Sequence, residues 1–193
     1  MMQDVKICVI GLGYVGLPLA RLFSTKYETI GFDMNQKRVD ALMAGHDETL
    51  EVSDELLQTA ISDGFICTSN IEKIRDCNFY VVAVPTPVDD NNNPDLTPLY
   101  GASTTVGKVI SRGNIVVYES TVYPGVTEDE CIPVVEKVSG LKFNKDFFAG
   151  YSPERINPGD KLHTVEKIKK VTSGSTLEVG RKIDEIYASV IVA

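Results

Sequence analysis

Val5-Lys6-Ile7-Cys8-Val9-Ile10-Gly11-Leu12-Gly13-Tyr14-Val15-Gly16-Leu17-Pro18-Leu19-Ala20 reads as a buried strand, a glycine turn and the opening of a helix. The apolar run over residues 5–10 has no alternation, as expected of a parallel strand covered on both faces. Gly11 permits the tight turn, Gly13 lets a backbone approach a pyrophosphate, and Gly16 allows close packing of helix on strand. A helix that starts here presents its unpaired N–H groups and partial positive charge to a dianion, so the site needs no lysine. A second apolar run over residues 28–33 ends in Asp33, twenty positions after Gly13. There a carboxylate accepts hydrogen bonds from the hydroxyls of an adenosine ribose and repels a 2′-phosphate, which favours NAD over NADP. Tyr14 and Val15 complete the turn, and Arg38 is placed beside the same ribose, where an arginine could also accept a 2′-phosphate.

Outward from this turn, short runs rich in Val, Ile and Phe alternate with segments of helical period. Strands are expected over residues 5–10, 28–33, 65–68, 79–84, 115–119, 147–151, 169–173 and 190–192. Helices are expected over residues 14–25, 36–44, 53–62, 98–110, 127–138 and 177–188, with Pro98 at a first helical position and Ser53 a weaker start signal. Repeated βα units of this kind predict an α/β, Rossmann-like, doubly wound and mostly parallel sheet, formed by residues 1–193 as one NAD-binding domain. Residues 85–98 hold Pro85, Pro87, Pro94 and Pro98 around a polar run, and read as a loop.

Composition bounds the function. The chain has 193 residues, with 19 Lys and Arg against 27 Asp and Glu, a net charge of -8. At this length a fold buries about 70% of its unfolded surface, so no disulfide or metal is required for stability. Without clustered cations there is no footprint for a nucleic acid or an anionic membrane. The apolar stretch over residues 5–20 is short for a membrane span and broken by three glycines, and no basic leader precedes it, so a cytoplasmic protein is expected. Cys8, Cys67, Cys77 and Cys131 form no CxxC pair, and His46 and His163 stand alone, so reduced buried thiols and loop histidines are expected rather than a metal centre.

In a doubly wound sheet, ligands lie beyond the carboxyl ends of the strands. Three segments follow such ends: Val84-Pro85-Thr86-Pro87, Glu119-Ser120-Thr121-Val122-Tyr123-Pro124-Gly125, and Tyr151-Ser152-Pro153-Glu154-Arg155-Ile156-Asn157-Pro158-Gly159-Asp160. By spacing alone, Thr121 reads as a hydroxyl satisfying a turn and Glu154 as a solvated carboxylate. With the glycine turn, however, these segments resemble the amino-terminal NAD-binding half of the UDP-glucose/GDP-mannose dehydrogenase family, along the whole chain. The form Pro153-Glu154-Arg155-Ile156-Asn157-Pro158, where the UDP-glucose enzymes carry a Pro-Glu-Phe-Leu-Arg-Glu type motif, is similar to the UDP-N-acetylhexosamine 6-dehydrogenases of capsular and Vi-type polysaccharide synthesis. Pro158 stands where the second family glutamate would be, so that acid's role is not carried over.

The resemblance implies two hydride transfers to NAD, alcohol to aldehyde and thiohemiacetal to thioester, and then hydrolysis to the uronic acid. It implies that Thr121 holds an active-site water, that Glu154 acts in acid-base work or in hydrolysis of the thioester, and that Thr86 and Pro87 line the nicotinamide side of the pocket. Asn157 and Glu154 are implied substrate contacts, and Arg155 either binds substrate with them or simply forms an ion pair. It also implies that the nucleophilic cysteine with its lysine and asparagine partners, the linking helix of a homodimer and the UDP-binding domain lie beyond residue 193. On that expectation this chain alone binds NAD without turnover and is monomeric. Two rival readings are an NAD-sensing regulatory module, which needs no Thr121 and Glu154 pair, and a hydroxyacid or hydroxyacyl-CoA dehydrogenase, which leaves residues 152–160 unexplained. A UDP-glucose 6-dehydrogenase is the near alternative.

Overall fold

The computed structural model describes residues 5–88, 93–154 and 165–191. Among the described residues seven strands form one sheet: β1 Lys6–Ile10, β2 Glu28–Phe32, β3 Ile66–Thr68, β4 Phe79–Val82, β5 Ile115–Tyr118, β6 Phe148–Tyr151 and β7 Ser173–Gly174. Their order is β3-β2-β1-β4-β5-β6-β7, all parallel except β7, which runs antiparallel against β6. Because the order reverses between β1 and β4, the chain leaves these two neighbours in opposite directions and opens a crevice at their carboxyl ends.

The helices are α1 Gly16–Ser24, α2 Gln36–Met43, α3 Asp54–Ser62, α4 Thr97–Val109, α5 Ile132–Ser139 and α6 Leu177–Ala188. Alternation along the strands divides the core in two. Ile7, Val9, Phe79, Val81, Ile115 and Val117 pack under residues of α1, α2, α3 and α6, while Cys8, Ile10, Tyr80, Val82, Val116 and Tyr118 pack under α4 and α5. This two-sided covering explains why β4 and β5 read as continuous apolar runs. The two tyrosines are buried with their hydroxyls satisfied: Tyr80 donates to the carbonyls of Ile74 and Cys77, and Tyr118 pairs with Ser103.

Three expectations are corrected by local chemistry. The helix expected over 127–138 is present, but its first part, Val126–Cys131, is wound as a wider π-helix before it passes into α5. Pro133 has no N–H to continue a regular ladder, and the backbone widens just before it. The strand expected over 169–173 shrinks to Ser173–Gly174, because Lys170 turns inward and Thr176 then caps α6 by accepting from the Val179 N–H. Val190 lies in the turn that ends α6 and packs into the core there, so its apolarity serves helix docking instead of a strand over 190–192; residues 192 and 193 lie outside the described residues. Ser53 proves a working cap, accepting from the Leu56 N–H at 3.3 Å, and Asn35 caps α2.

Candidate functional site

The strands stop where the site begins. Ala83 N–H bonds to the Ile10 carbonyl and Glu119 N–H to the Val82 carbonyl, each at 2.8 Å, and beyond these rungs the chains diverge. The glycine turn lies over this edge. Gly11 has φ +92°, a left-handed conformation that an L side chain rarely adopts, and its own N–H bonds to the Phe32 carbonyl of β2. Gly16 opens α1 in contact with Gly11, where an added Cβ would overlap the Gly11 carbonyl oxygen. At Gly13, by contrast, an added Cβ would meet no protein atom within 4 Å. The turn therefore leaves open space above Gly13, with Tyr14 exposed beside it.

Asp33 is set against this turn. Its Oδ2 accepts from the Leu12 N–H and its Oδ1 from the Asn35 N–H, both at 2.9 Å, so the carboxylate is fixed between the turn and the start of α2. Arg38 takes a different place from the one its sequence position suggests. Its Nε and Nη2 donate to the Leu12 carbonyl at 3.0 and 2.8 Å, and Nη2 also donates to Asp47 at 2.6 Å. The guanidinium thus braces the turn from within the protein, because Asp47, fully buried on the following loop, draws it in. Burial alone would push the Asp47 carboxyl up, but hydrogen bonds from the Val52 N–H, from Thr49 and from Arg38 outweigh it and hold the group below its ordinary value.

Beyond the ends of β1, β4, β5 and β6 lies a pocket of about 240 Å³, lined by Val15, Thr86, Ser120, Thr121, Glu119 and Glu154 among others. It is next to the glycine turn through Val15. Thr121 and Glu154, 33 residues apart in sequence, meet here: the Thr121 hydroxyl donates to the Glu154 carbonyl at 3.4 Å, and the Glu154 N–H donates to the Glu119 carbonyl at 3.2 Å. Thr86 brings a buried hydroxyl oxygen that has no protein partner. Pro87 is exposed and outside the lining, its carbonyl accepting from the Asp95 N–H at 2.7 Å. Arg155 and Asn157 lie outside the described residues, as does His163.

A buried ionic cluster, unread in the sequence, underlies the pocket. Lys170 donates to both Glu119 and Glu154, the latter at 3.3 Å, and Tyr187 on α6 donates to the other oxygen of Glu119 at 2.5 Å. Side-chain exposures are 3% for Lys170, 0% for Glu119 and 9% for Glu154. Burial raises the Glu119 carboxyl, against the pull of Lys170 and Tyr187, and raises the Tyr187 phenol strongly, with Glu119 adding to it. Of this cluster the sequence analysis names only Glu154 as a site residue; Glu119 has a signal of its own, a charge directly after the buried strand Ile115–Tyr118, whereas Lys170 and Tyr187 have none.

All four cysteines are reduced and buried, and none lines the pocket. Burial pushes Cys67 up to about 12 and Cys131 to about 11, so these are poor nucleophiles. Among the described residues no group of His, Cys, Asp and Glu could hold a metal ion, and no helix is long and apolar enough to cross a membrane.

The residues present fit a dinucleotide: open space above Gly13, a fixed carboxylate at Asp33, and an unpartnered hydroxyl at Thr86 facing a pocket at the switch point. Comparison with known proteins agrees. The chain is 56% identical over its whole length to a UDP-N-acetyl-D-glucosamine 6-dehydrogenase of Pseudomonas aeruginosa, covering 45% of it. It is 56% identical over 97% of its length to Protein CapL of Staphylococcus aureus, covering 43% of that protein. The structure of a UDP-D-ManNAc dehydrogenase from Pyrococcus horikoshii superposes with a TM-score of 0.88 at 30% identity, over 97% of this chain and 45% of the other. The chain spans about half the length of the curated relatives it matches. Residues 5–191 match the NAD binding domain of the UDP-glucose/GDP-mannose dehydrogenase family, and the chain belongs to that family.

Proposed function

We propose that this chain is the cofactor half of an NAD-dependent dehydrogenase that oxidises the 6-hydroxyl of UDP-N-acetyl-D-glucosamine to the uronic acid, its remaining residues being supplied by a longer polypeptide. The observation that carries the reading is the convergence of Thr86, Thr121 and Glu154 in one pocket beside the glycine turn, at the carboxyl ends of β1, β4, β5 and β6. The choice of glucosamine follows the relative at 56% identity, whereas the mannosamine enzyme of known structure is at 30%.

When bound, NAD would supply the hydride acceptor for each of two oxidation steps. The protein's part is binding and proton handling. The amino end of α1 and the turn's N–H groups beyond Leu12 would hold the pyrophosphate, and Asp33 would accept from the adenosine ribose. Thr86 offers its hydroxyl to the nicotinamide end. Thr121, whose hydroxyl can donate and accept, holds the substrate hydroxyl or the hydrolytic water. Glu154 takes the proton released when the alcohol loses hydride, and activates water for hydrolysis of the thioester. Arg155 and Asn157 are proposed substrate contacts, the whole protein is proposed to be a cytoplasmic homodimer, and the chain alone a monomer that binds NAD without turnover.

A substrate panel tests the assignment. The complete gene product, given UDP-N-acetylglucosamine, -galactosamine and -mannosamine and UDP-glucose, is expected to form NADH fastest with the first, and at least about tenfold more slowly when NADP replaces NAD. Preference for UDP-glucose, or for NADP, would overturn it.

A further inference from the structure

Buried charge at the foot of a pocket has no ready account in stability. Taking two carboxylates and an ammonium out of water costs several kcal/mol per ion, and well-packed apolar side chains of similar volume are often as stable or more so. Yet Lys170, Glu119 and Glu154 sit together, each less than a tenth exposed, with Tyr187 as the other titratable group facing them among the described residues. Glu119 is the deepest, and is held on both oxygens, by Lys170 and by Tyr187. This fixes the ammonium, because Tyr187 anchors Glu119 from α6 and the Glu119 N–H, bonded to the Val82 carbonyl of β4, anchors it to the sheet. The fixed ammonium then reaches Glu154 at the pocket floor, where that residue's backbone is also held at both ends by Glu119 and Thr121.

We propose that Lys170 is a positioning residue of the reaction site: anchored on Glu119 and through it on Tyr187, its ammonium clamps the Glu154 carboxylate at the floor of the pocket that Thr86 and Thr121 line. The proposal rests on the assignment of acid-base work to Glu154. Among the described residues Lys170 pairs with Glu119 and Glu154 and does not itself line the pocket, so it acts through Glu154. The clamp has an energetic reason to be buried, since an ion pair shielded from water holds its geometry more firmly than a solvated lysine does.

The test uses three variants at Lys170 in the complete gene product and in this chain, with E154Q and K182M as controls. Lys170→Met strands two buried carboxylates and is expected to fold poorly. The double variant K170M/E119Q leaves only Glu154, which lines the open pocket, without the ammonium, and is expected to fold with a smaller loss of stability than Lys170→Met. Its kcat is expected to fall at least about tenfold, with KM for the UDP-sugar and the Kd for NAD within about threefold, because the positioned proton acceptor is what has been lost. Lys170→Arg, which keeps a cation at this place, is expected to recover most of the loss. In this chain, with the glutamate side-chain carboxyl carbons labelled and the Glu154 resonance assigned by E154Q, that resonance is expected to move in K170M/E119Q and to stay unmoved in the distant control K182M. A folded double variant with kcat within twofold of the parent, or a Glu154 resonance that ignores Lys170, overturns the proposal. If the parent forms no NADH with any UDP-N-acetylhexosamine, the functional reading fails, and the carboxyl resonance alone judges Lys170.

Discussion

Gly16→Ala is expected to destabilise the chain by about 3 kcal/mol or more, whereas Gly13→Ala, three residues earlier, leaves stability within about 0.5 kcal/mol and abolishes most NAD binding. The two glycines differ in what surrounds the missing Cβ. At Gly16 it would overlap the Gly11 carbonyl oxygen and lie 3.2 Å from the Ala83 Cβ, so the methyl forces β1, its turn and α1 apart. The Gly11 carbonyl is backbone and has no rotamer to escape into. At Gly13 nothing of the protein is within 4 Å, and the backbone there is not in the left-handed region, so alanine is accommodated. The new methyl occupies only the space where the pyrophosphate would approach. A loss of at least tenfold in NAD affinity, about 1.4 kcal/mol, is the expected reading. Urea unfolding and calorimetric titration with NAD, run on both variants, separate the effects. A stable Gly16→Ala protein, or a Gly13→Ala protein that binds NAD like the parent, contradicts this account of the turn.

Asp47→Ala is the second large effect, expected to cost about 3–5 kcal/mol although the residue is outside the pocket. Asp47 is fully buried and accepts from the Thr49, Glu51 and Val52 N–H groups, the Thr49 hydroxyl and the Arg38 guanidinium. Alanine leaves those donors unpaired and Arg38 buried without its counter-charge. Because Arg38 also holds the Leu12 carbonyl, the turn is expected to loosen with it, and NAD affinity to fall in parallel. The acid dependence follows in sign. The folded-state value of Asp47 lies below its unfolded one, about 3.9, so its contribution is fully present above that value and is lost as pH falls through the folded value. Asp47→Asn is expected to flatten stability against pH in that acid range. Urea midpoints for parent and variants from pH 2 to 7 check both claims, and an Asp47→Ala protein within 1 kcal/mol of the parent would sink them.

These residues mark what could be read from sequence and what could not. Gly11, Gly13, Gly16 and Asp33 were legible because each meets a backbone or ligand demand at fixed spacing, with the buried strand before them setting the register. The pocket segments were legible as the positions following strand ends, but Thr121 and Glu154 stood out within them only through the family resemblance, since spacing alone read both as structural; the two do meet there. Arg38 was legible as a basic residue near the turn but not in its direction, since Asp47, nine residues on, decides that through a buried ion pair. Lys170 was hidden for a similar reason. In the run Lys167-Ile168-Lys169-Lys170 it looks like any solvated lysine, and its partner Glu119 is 51 residues away. Pattern reports which face of an element is apolar; it does not report which of several like charges is taken inside. The same limit explains Val190, whose apolarity fits a strand or a docked helix end equally well.

The measurement that tests the central claim most directly is the number of NADH formed per UDP-N-acetyl-D-glucosamine consumed, with the complete gene product and this chain assayed side by side. The account predicts two NADH per sugar from the complete product and none from the chain, which still binds NAD in a parallel titration. One NADH per sugar, or any turnover by the chain alone, would contradict it.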